Sequence, residues 1–293
     1  MDASSVSTKP PAGAGVTSVA VAMARARESV REDPLFRDPF AQLFVDAAKA
    51  GLEASGATDE WPPLVAWVDL FYSRGVVRTR FIDDHLIDAT TGRCGQVVLL
   101  GAGLDTRAFR LPWPDGVNVY EVDVPSVFSF KEQVLDDAGA AMAGRSGTRT
   151  IIEADLREDW AARLDGSSFD RSVPTAWVAE GVLPYLSVEE ARHLLTMVSA
   201  RSAPGSRLVF EHSGKGRQAA TVAKSAAHAL AMPGAARIGS LFKGGLGPTG
   251  QHWLSGQGWT THSDDRAAVG LGYGRPDDRL PGGEFITATR DQV

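Results

Sequence analysis

The run VVLLGAGLDTR, Val97 to Arg107, sets glycines at 101 and 103 directly behind an apolar stretch and ahead of a helix-prone one. Glycine in such a turn lets backbone come close to a ligand, and the helix that follows offers unpaired amide donors, so a nucleotide-containing ligand is expected there. Turns of this kind serve dinucleotides and S-adenosylmethionine alike. A dinucleotide fingerprint would place its third glycine where this chain has Thr106, which weakens the nicotinamide reading without removing it. Asp123 closes the next apolar run, Val117 to Val122, in the sequence YEVDVP. A carboxylate at that strand end can accept hydrogen bonds from both hydroxyls of a ribose, because the first two strands of such a sheet are neighbours whose ends face one crevice. The alternative is that Asp123 caps the helix beginning at Pro125. Glu180 ends a further apolar run, Ala176 to Ala179, and by the same argument belongs in the crevice rather than on a solvated face.

Among the histidines, His212 is the candidate general base, since it follows the apolar run Arg207 to Phe210; a lone histidine is nevertheless more often structural than catalytic. His85, His193, His228, His252 and His262 have no comparable placement, although His252-Trp253 is a candidate lining for a substrate pocket. No histidine and carboxylate cluster has metal-ligand spacing, so no metal is expected. No serine sits in a nucleophile elbow.

The elements that must position these residues alternate. Val97 to Leu100, Val117 to Val122, Thr150 to Ile152, Ala176 to Ala179 and Arg207 to Phe210 read as buried parallel strands separated by helical or loop segments. Phe285 to Thr289 reads as a last edge strand. The rhythm predicts an α/β fold, a doubly wound and mostly parallel sheet. Glu189 to Ala200 is the clearest intervening helix, with Ser187 and Glu190 forming a capping box. Three helical stretches come first: Thr17 to Val30, a short helix after Asp38-Pro39 with Phe40, Leu43 and Phe44 on one face, and Trp61 to Ala89 with Leu64, Trp67, Val68 and Phe71 at core spacing. They predict an N-terminal helical cap over residues 17–92 and a core over 93–293, within one domain, the C-terminal portion carrying substrate-side insertions. Residues 1–16 hold Ser, Pro, Ala and Gly with little to bury and read as a flexible terminus. After His212 the chain is Gly-rich and unassigned.

Composition narrows the classes. With 43% hydrophobic and 23% charged residues the chain is an ordinary folded one. A net charge of -6 disfavours a nucleic-acid partner, because nonspecific affinity for phosphates comes from Lys and Arg displacing counterions. The single cysteine, Cys94, permits no intramolecular disulfide and suits a reducing, cytoplasmic setting. No window approaches the ~18 uninterrupted apolar residues of a membrane span, so no membrane partner is expected.

Six ordered blocks resemble the leucine carboxyl methyltransferase-like enzymes, and especially their actinobacterial S-adenosylmethionine-dependent branch. They are RESVREDPLFRDPFA from Arg27, RTRFIDD from Arg78, VVLLGAGLDTRAFRL from Val97, EVDVPSVFSFK from Glu121, ADLREDW from Ala154 and PTAWVAEGVLPYL from Pro174. The resemblance implies a Rossmann-like class I methyltransferase with S-adenosyl-L-methionine as cofactor. It implies that Gly101 lies beside the methionine moiety in the turn with Gly103, that Asp123 holds the ribose, and that Asp155-Leu156 form the adenine site, the carboxylate taking the exocyclic amine. Glu180 falls on the family's acidic position facing the cofactor, and Arg78 on the arginine that pairs with its carboxylate. Arg80, two residues on, competes for that role, and Arg27 stands where the family has a lysine meeting the same carboxylate. The bland alternatives are that Asp155 caps the segment around Glu158 and that Arg27 and Arg80 are surface residues. The implied reaction is methyl transfer to a carboxylate or hydroxyl oxygen of a small or peptide-like acceptor. Its rivals are an NAD(P)-dependent oxidoreductase on a similar sheet and a noncatalytic protein that binds an adenosyl ligand.

Overall fold

The computed structural model describes residues 16–140, 147–212, 243–276 and 282–292. Gln96–Leu100 (β1) and Thr175–Ala179 (β4) are buried along their whole length, as strands covered on both faces must be. They are joined by Asn118–Asp123 (β2), Arg149–Glu153 (β3), Arg207–His212 (β5), Trp259–Asp265 (β6) and Glu284–Arg290 (β7) in one seven-stranded sheet ordered β3-β2-β1-β4-β5-β7-β6. β1 to β5 are parallel; β7 runs antiparallel to both of its neighbours. The order reverses between β1 and β4, and a crevice opens at their carboxyl ends, where ligands of such sheets bind.

Strand alternation sorts the core into two layers. Val98 and Leu100 face Trp160 of α6 (Trp160–Asp165) and Leu194, Leu195 and Val198 of α7 (Val188–Ser199). Val97 and Leu99 face Ile82, Leu86 and Ala89 of α3 (Trp61–Gly92). Helices therefore cover both faces, which is the doubly wound arrangement expected. The capping box of α7 is present: Ser187 Oγ accepts the Glu190 N–H at 3.2 Å and the Glu190 carboxylate accepts the Ser187 N–H at 2.7 Å.

The cap comprises α1 (Val16–Ser29), α2 (Ala41–Ser55) and the start of α3. On α2, Ala41, Phe44, Ala48 and Leu52 recur every three to four residues and are buried. Phe44 and Ala48 pack against Val19 and Ala22 of α1 and Phe130 and Val134 of α5 (Pro125–Asp137). Leu43, predicted for that face, is 39% exposed. α3 starts with Pro62 and Pro63 in its first turn, where an N–H has no intrahelical partner to lose. Its 32 residues run from the cap to the underside of the sheet, so the division at residue 92 does not separate cap from core: Ile82, Leu86 and Ala89 already belong to the sheet's packing.

Two strand readings are corrected: β3, read as a buried strand, lies at one edge of the sheet with only Ile152 buried, and β7, read as an edge, is interior. β7 inserts between β5 and β6. The edge on that side is β6, which the sequence does not disclose because only Trp259 of its seven residues is fully buried and the rest are polar. Of the predicted flexible start, residues 1–16, Val16 already belongs to α1; residues 1–15 and the unassigned stretch 213–242 lie outside the described residues. Short helices α4 (Arg107–Arg110), α8 (Gly250–Ser255) and α9 (Arg266–Gly272) complete the described chain. Among the described residues no helix is long and apolar enough to cross a membrane.

Candidate functional site

The carboxyl ends of β1, β2 and β4 open into a cavity of about 540 Å³, roofed by Thr17, Ser18, Val21 and Arg25 of α1 and by Trp67 and Arg78 of α3. That volume falls within the roughly 300 to 1,000 Å³ of cofactor and small-molecule sites. Gly101 and Gly103 form the floor with φ of +65° and +51°. A Cβ at 101 would stand 2.5 Å from Val182 Cγ2, so the turn excludes any side chain there and keeps the floor open. Asp123 lines the cavity at the end of β2, its Oδ2 accepting the Gly103 N–H at 2.6 Å and its Oδ1 the Val124 N–H at 2.7 Å. Burial raises its pKa above the ordinary value, and the two amides only partly counter that. It is not the cap of α5: the N-cap is Val124, with no side-chain cap bond.

Asp155 and Leu156 line the same cavity. The Asp155 carboxylate accepts the Arg157 N–H at 2.9 Å and pairs with the Arg157 guanidinium, which holds its pKa down. It does not cap α6, whose N-cap is Asp159 accepting from Ala162 N–H. Glu180 also lines the cavity, gripped on both oxygens: Arg78 Nε donates to Oε1 at 2.8 Å and Arg107 Nη1 to Oε2 at 2.6 Å. Burial alone would raise the Glu180 pKa, but the two guanidinium charges outweigh it and lower it.

Behind Glu180 lies a charge network the sequence reading missed. Arg107, 1% exposed, donates to Asp83 Oδ1 at 2.6 Å and pairs with Asp105, while Arg110 takes both oxygens of Asp83 at 2.7 and 2.8 Å. Burial is the largest single influence on Asp105 and pushes it up, yet the charges of Arg107, Arg25, Lys131 and Arg110 together outweigh it and hold it at about 2. Glu211, at the end of β5, accepts from Arg78 Nη1 at 2.6 Å. Asp105 and Arg107 sit in the GLDTR segment itself, where the sequence argument rests on Gly103 and Thr106 alone. Thr106 Oγ1 donates to Asp38 at 2.7 Å, and Asp38 lies 3.0 Å from Arg25 Nε, so the cap is bolted to the glycine turn.

Several predicted residues lie elsewhere. Arg27 is exposed, paired with Asp69 at 2.7 Å and set over the Tyr72 ring; the arginine of α1 that lines the cavity is Arg25. Arg80 pairs with Asp84 at 2.8 Å and faces a separate depression near Leu35 and Arg110. His212 pairs in register with Glu284 of β7 and is not among the cavity's lining residues; burial lowers its pKa. Trp253 packs on the core beneath the Arg192 guanidinium, and neither it nor His252 lines the cavity. Among the described residues no group of three or more His, Cys, Asp or Glu is arranged to hold a metal.

An open glycine floor, a carboxylate at the end of β2, an apolar wall at Leu156 and arginines at the Glu180 end fit an adenosyl amino acid. Comparison with known proteins agrees. The leucine carboxyl methyltransferase family model matches residues 18–199. A protein of Frankia alni described as an S-adenosyl-L-methionine-dependent methyltransferase is 42% identical over 281 residues, covering 96% of this chain and 95% of its own length. One from a Parafrankia species, described in the same words, is 43% identical over 281 residues, with 95% and 88% covered. A solved structure from Thermobifida fusca, described as a methyltransferase, superposes with a TM-score of 0.51 over 97% of this chain and 96% of its own; at 17% identity it speaks to the fold alone. The chain belongs to the leucine carboxyl methyltransferase family and is an S-adenosyl-L-methionine-dependent methyltransferase.

Proposed function

We propose that this enzyme methylates a carboxylate oxygen of a small or peptide-like acceptor, and that Gly101, Gly103, Asp123, Asp155, Leu156, Glu180 and Arg78 hold the cofactor. Bound S-adenosyl-L-methionine supplies a methyl group activated by a sulfonium charge. The protein's own part is to hold, align and exclude water. Asp123 accepts from the ribose hydroxyls; its oxygens already take two amides, but a carboxylate has about four acceptor positions. Asp155 and Leu156 frame the adenine, and the glycine turn allows backbone to approach the amino-acid portion. Arg78 takes the cofactor's carboxylate. Arg25, rather than Arg27, is its companion, because it is the arginine of α1 that lines the cavity.

The observation that carries the acceptor assignment is the pairing of the acids at the Glu180 end, each engaged by an arginine. Asp105 and Glu180 are held ionised by Arg107 and Arg78, with their pKa values lowered. Carboxylates so held are weak bases. An acceptor carboxylate is itself ionised at neutral pH and needs no proton removed, whereas a hydroxyl does. The family likeness supports the same choice. The test is to incubate the enzyme with methyl-labelled cofactor and candidate acceptors and treat the product with mild alkali. A methyl ester releases labelled methanol; a label that survives alkali overturns the carboxylate assignment in favour of hydroxyl methylation.

A further inference from the structure

β4 and β5 run parallel with Ala179 beside Phe210, so the next residues, Glu180 and Glu211, stand abreast at the crevice end of the two strands. Like charges at neighbouring strand positions repel unless a cation lies between them. Arg78 fills that place from α3, with Nε on Glu180 Oε1 at 2.8 Å and Nη1 on Glu211 Oε1 at 2.6 Å. The other oxygen of Glu211 accepts the Gly181 N–H at 2.8 Å. Gly181 leaves β4 at a φ of +64°, and a Cβ there would stand 3.5 Å from Arg78 Nη1. One carboxylate therefore fixes both the arginine and the turn beside it. Arg78 Nη2 has no hydrogen-bond partner among the described residues.

We propose that Glu211 is a positioning residue for cofactor binding: it locks the Arg78 guanidinium between two strand ends and pins the Gly181 turn, keeping Nη2 free to meet the cofactor's carboxylate. The inference rests on the reading that Arg78 makes that contact. A guanidinium left with one carboxylate favours two parallel bonds to it. Without Glu211, Arg78 would turn its second terminal nitrogen onto Glu180 and lose the donor that faces the ligand. Charge argues the other way, since removing Glu211 makes Arg78 a less neutralised cation and a stronger attractor of anions. The two effects predict opposite signs, and the proposal is that position outweighs charge.

Calorimetric titration of two ligands reads the difference. S-adenosylhomocysteine carries the amino-acid portion; 5′-methylthioadenosine carries the same adenosine and thioether without it, and its binding reports an intact pocket. Glu211→Ala is expected to weaken S-adenosylhomocysteine about tenfold or more, the scale of a charge-assisted hydrogen bond, and to change 5′-methylthioadenosine by less than about twofold. Arg78→Met is expected to do the same, and the double variant to be no more than about twofold weaker than Arg78→Met alone, because both act through one contact. Glu211→Gln keeps the shape and one acceptor, and reads the same contrast at several-fold if the alanine variant does not fold. Unchanged or tighter S-adenosylhomocysteine binding in the Glu211 variants, or equal weakening of both ligands, overturns the positioning role. An Arg78→Met variant that binds S-adenosylhomocysteine normally overturns instead the reading of Arg78 itself, and the inference with it.

Discussion

Asp123 does two jobs with one carboxylate. It ties the glycine turn to β2 through the Gly103 amide and presents the same group to the cavity. Burial works against its charge, so a residue kept acidic there needs partners that favour the ionised form, and ribose hydroxyls are such partners. Asp123→Ala is expected to weaken S-adenosylhomocysteine at least tenfold, since each hydrogen bond to a charged group contributes about 1.5 to 3 kcal/mol. The helicity of α5 should be unchanged, because Val124 caps it without help from a side chain. Titration calorimetry beside circular dichroism checks both; full affinity in a folded variant would reduce Asp123 to a tie for Gly103. Glu180 differs in kind. Both of its oxygens accept from arginines, so beside the acceptor positions it keeps for the cofactor it contributes through the placement of Arg78.

Elements reach the site through a small number of buried ionic joints. Asp38 is 3% exposed; it accepts the Phe40 and Ala41 amides at the start of α2, the Thr106 hydroxyl, and the charge of Arg25 on α1. Asp38→Ala would leave Arg25, 4% exposed, without its countercharge, and breaking a buried pair from one side costs about 3 to 5 kcal/mol. Urea unfolding is expected to show that loss together with weaker cofactor binding; a loss below about 1 kcal/mol would mean that the cap is held by apolar packing alone. The same joints explain what the sequence could and could not disclose. β1, β4 and the residues at their ends were legible because a fully buried parallel strand is an apolar run, and the crevice lies wherever such a run stops. Arg27, placed by the family resemblance, lies on the exposed side of α1 while Arg25 lines the cavity; two such positions differ by about 200° around the helix axis, and no local pattern in the sequence tells which face meets the sheet. Glu211 was illegible because its partner Glu180 becomes its neighbour only when β4 and β5 pair, and β6 because a mostly polar edge strand carries little apolar signal.

Across the whole molecule the sheet separates two kinds of acid response. The cavity sits at the carboxyl ends of the strands, whereas His85 of α3 faces Arg207 at the start of β5 and Asp88 beside it, near the amino ends. Its Nε2 is buried without a hydrogen-bond partner among the described residues. Burial first, and repulsion from Arg207 second, lower its pKa from 6.5 to about 4, Asp88 opposing both. The folded-state pKa is thus below the unfolded one, so between those values the unfolded chain binds more protons and stability rises with pH. The contribution is complete above pH 6.5 and is lost as the pH falls towards 4. Asp105, held at about 2 against an ordinary 3.8, acts only below that window. From the linkage relation, His85 should remove about 2 kcal/mol of stability between pH 7 and pH 5. His212, also lowered by burial, adds loss of the same sign. Urea unfolding at the two pH values should therefore show a steeper fall in the wild type than in His85→Leu, by about that amount. Parallel pH profiles in the two proteins would mean that His85 finds a proton acceptor when charged, and that the acid sensitivity of the fold lies elsewhere.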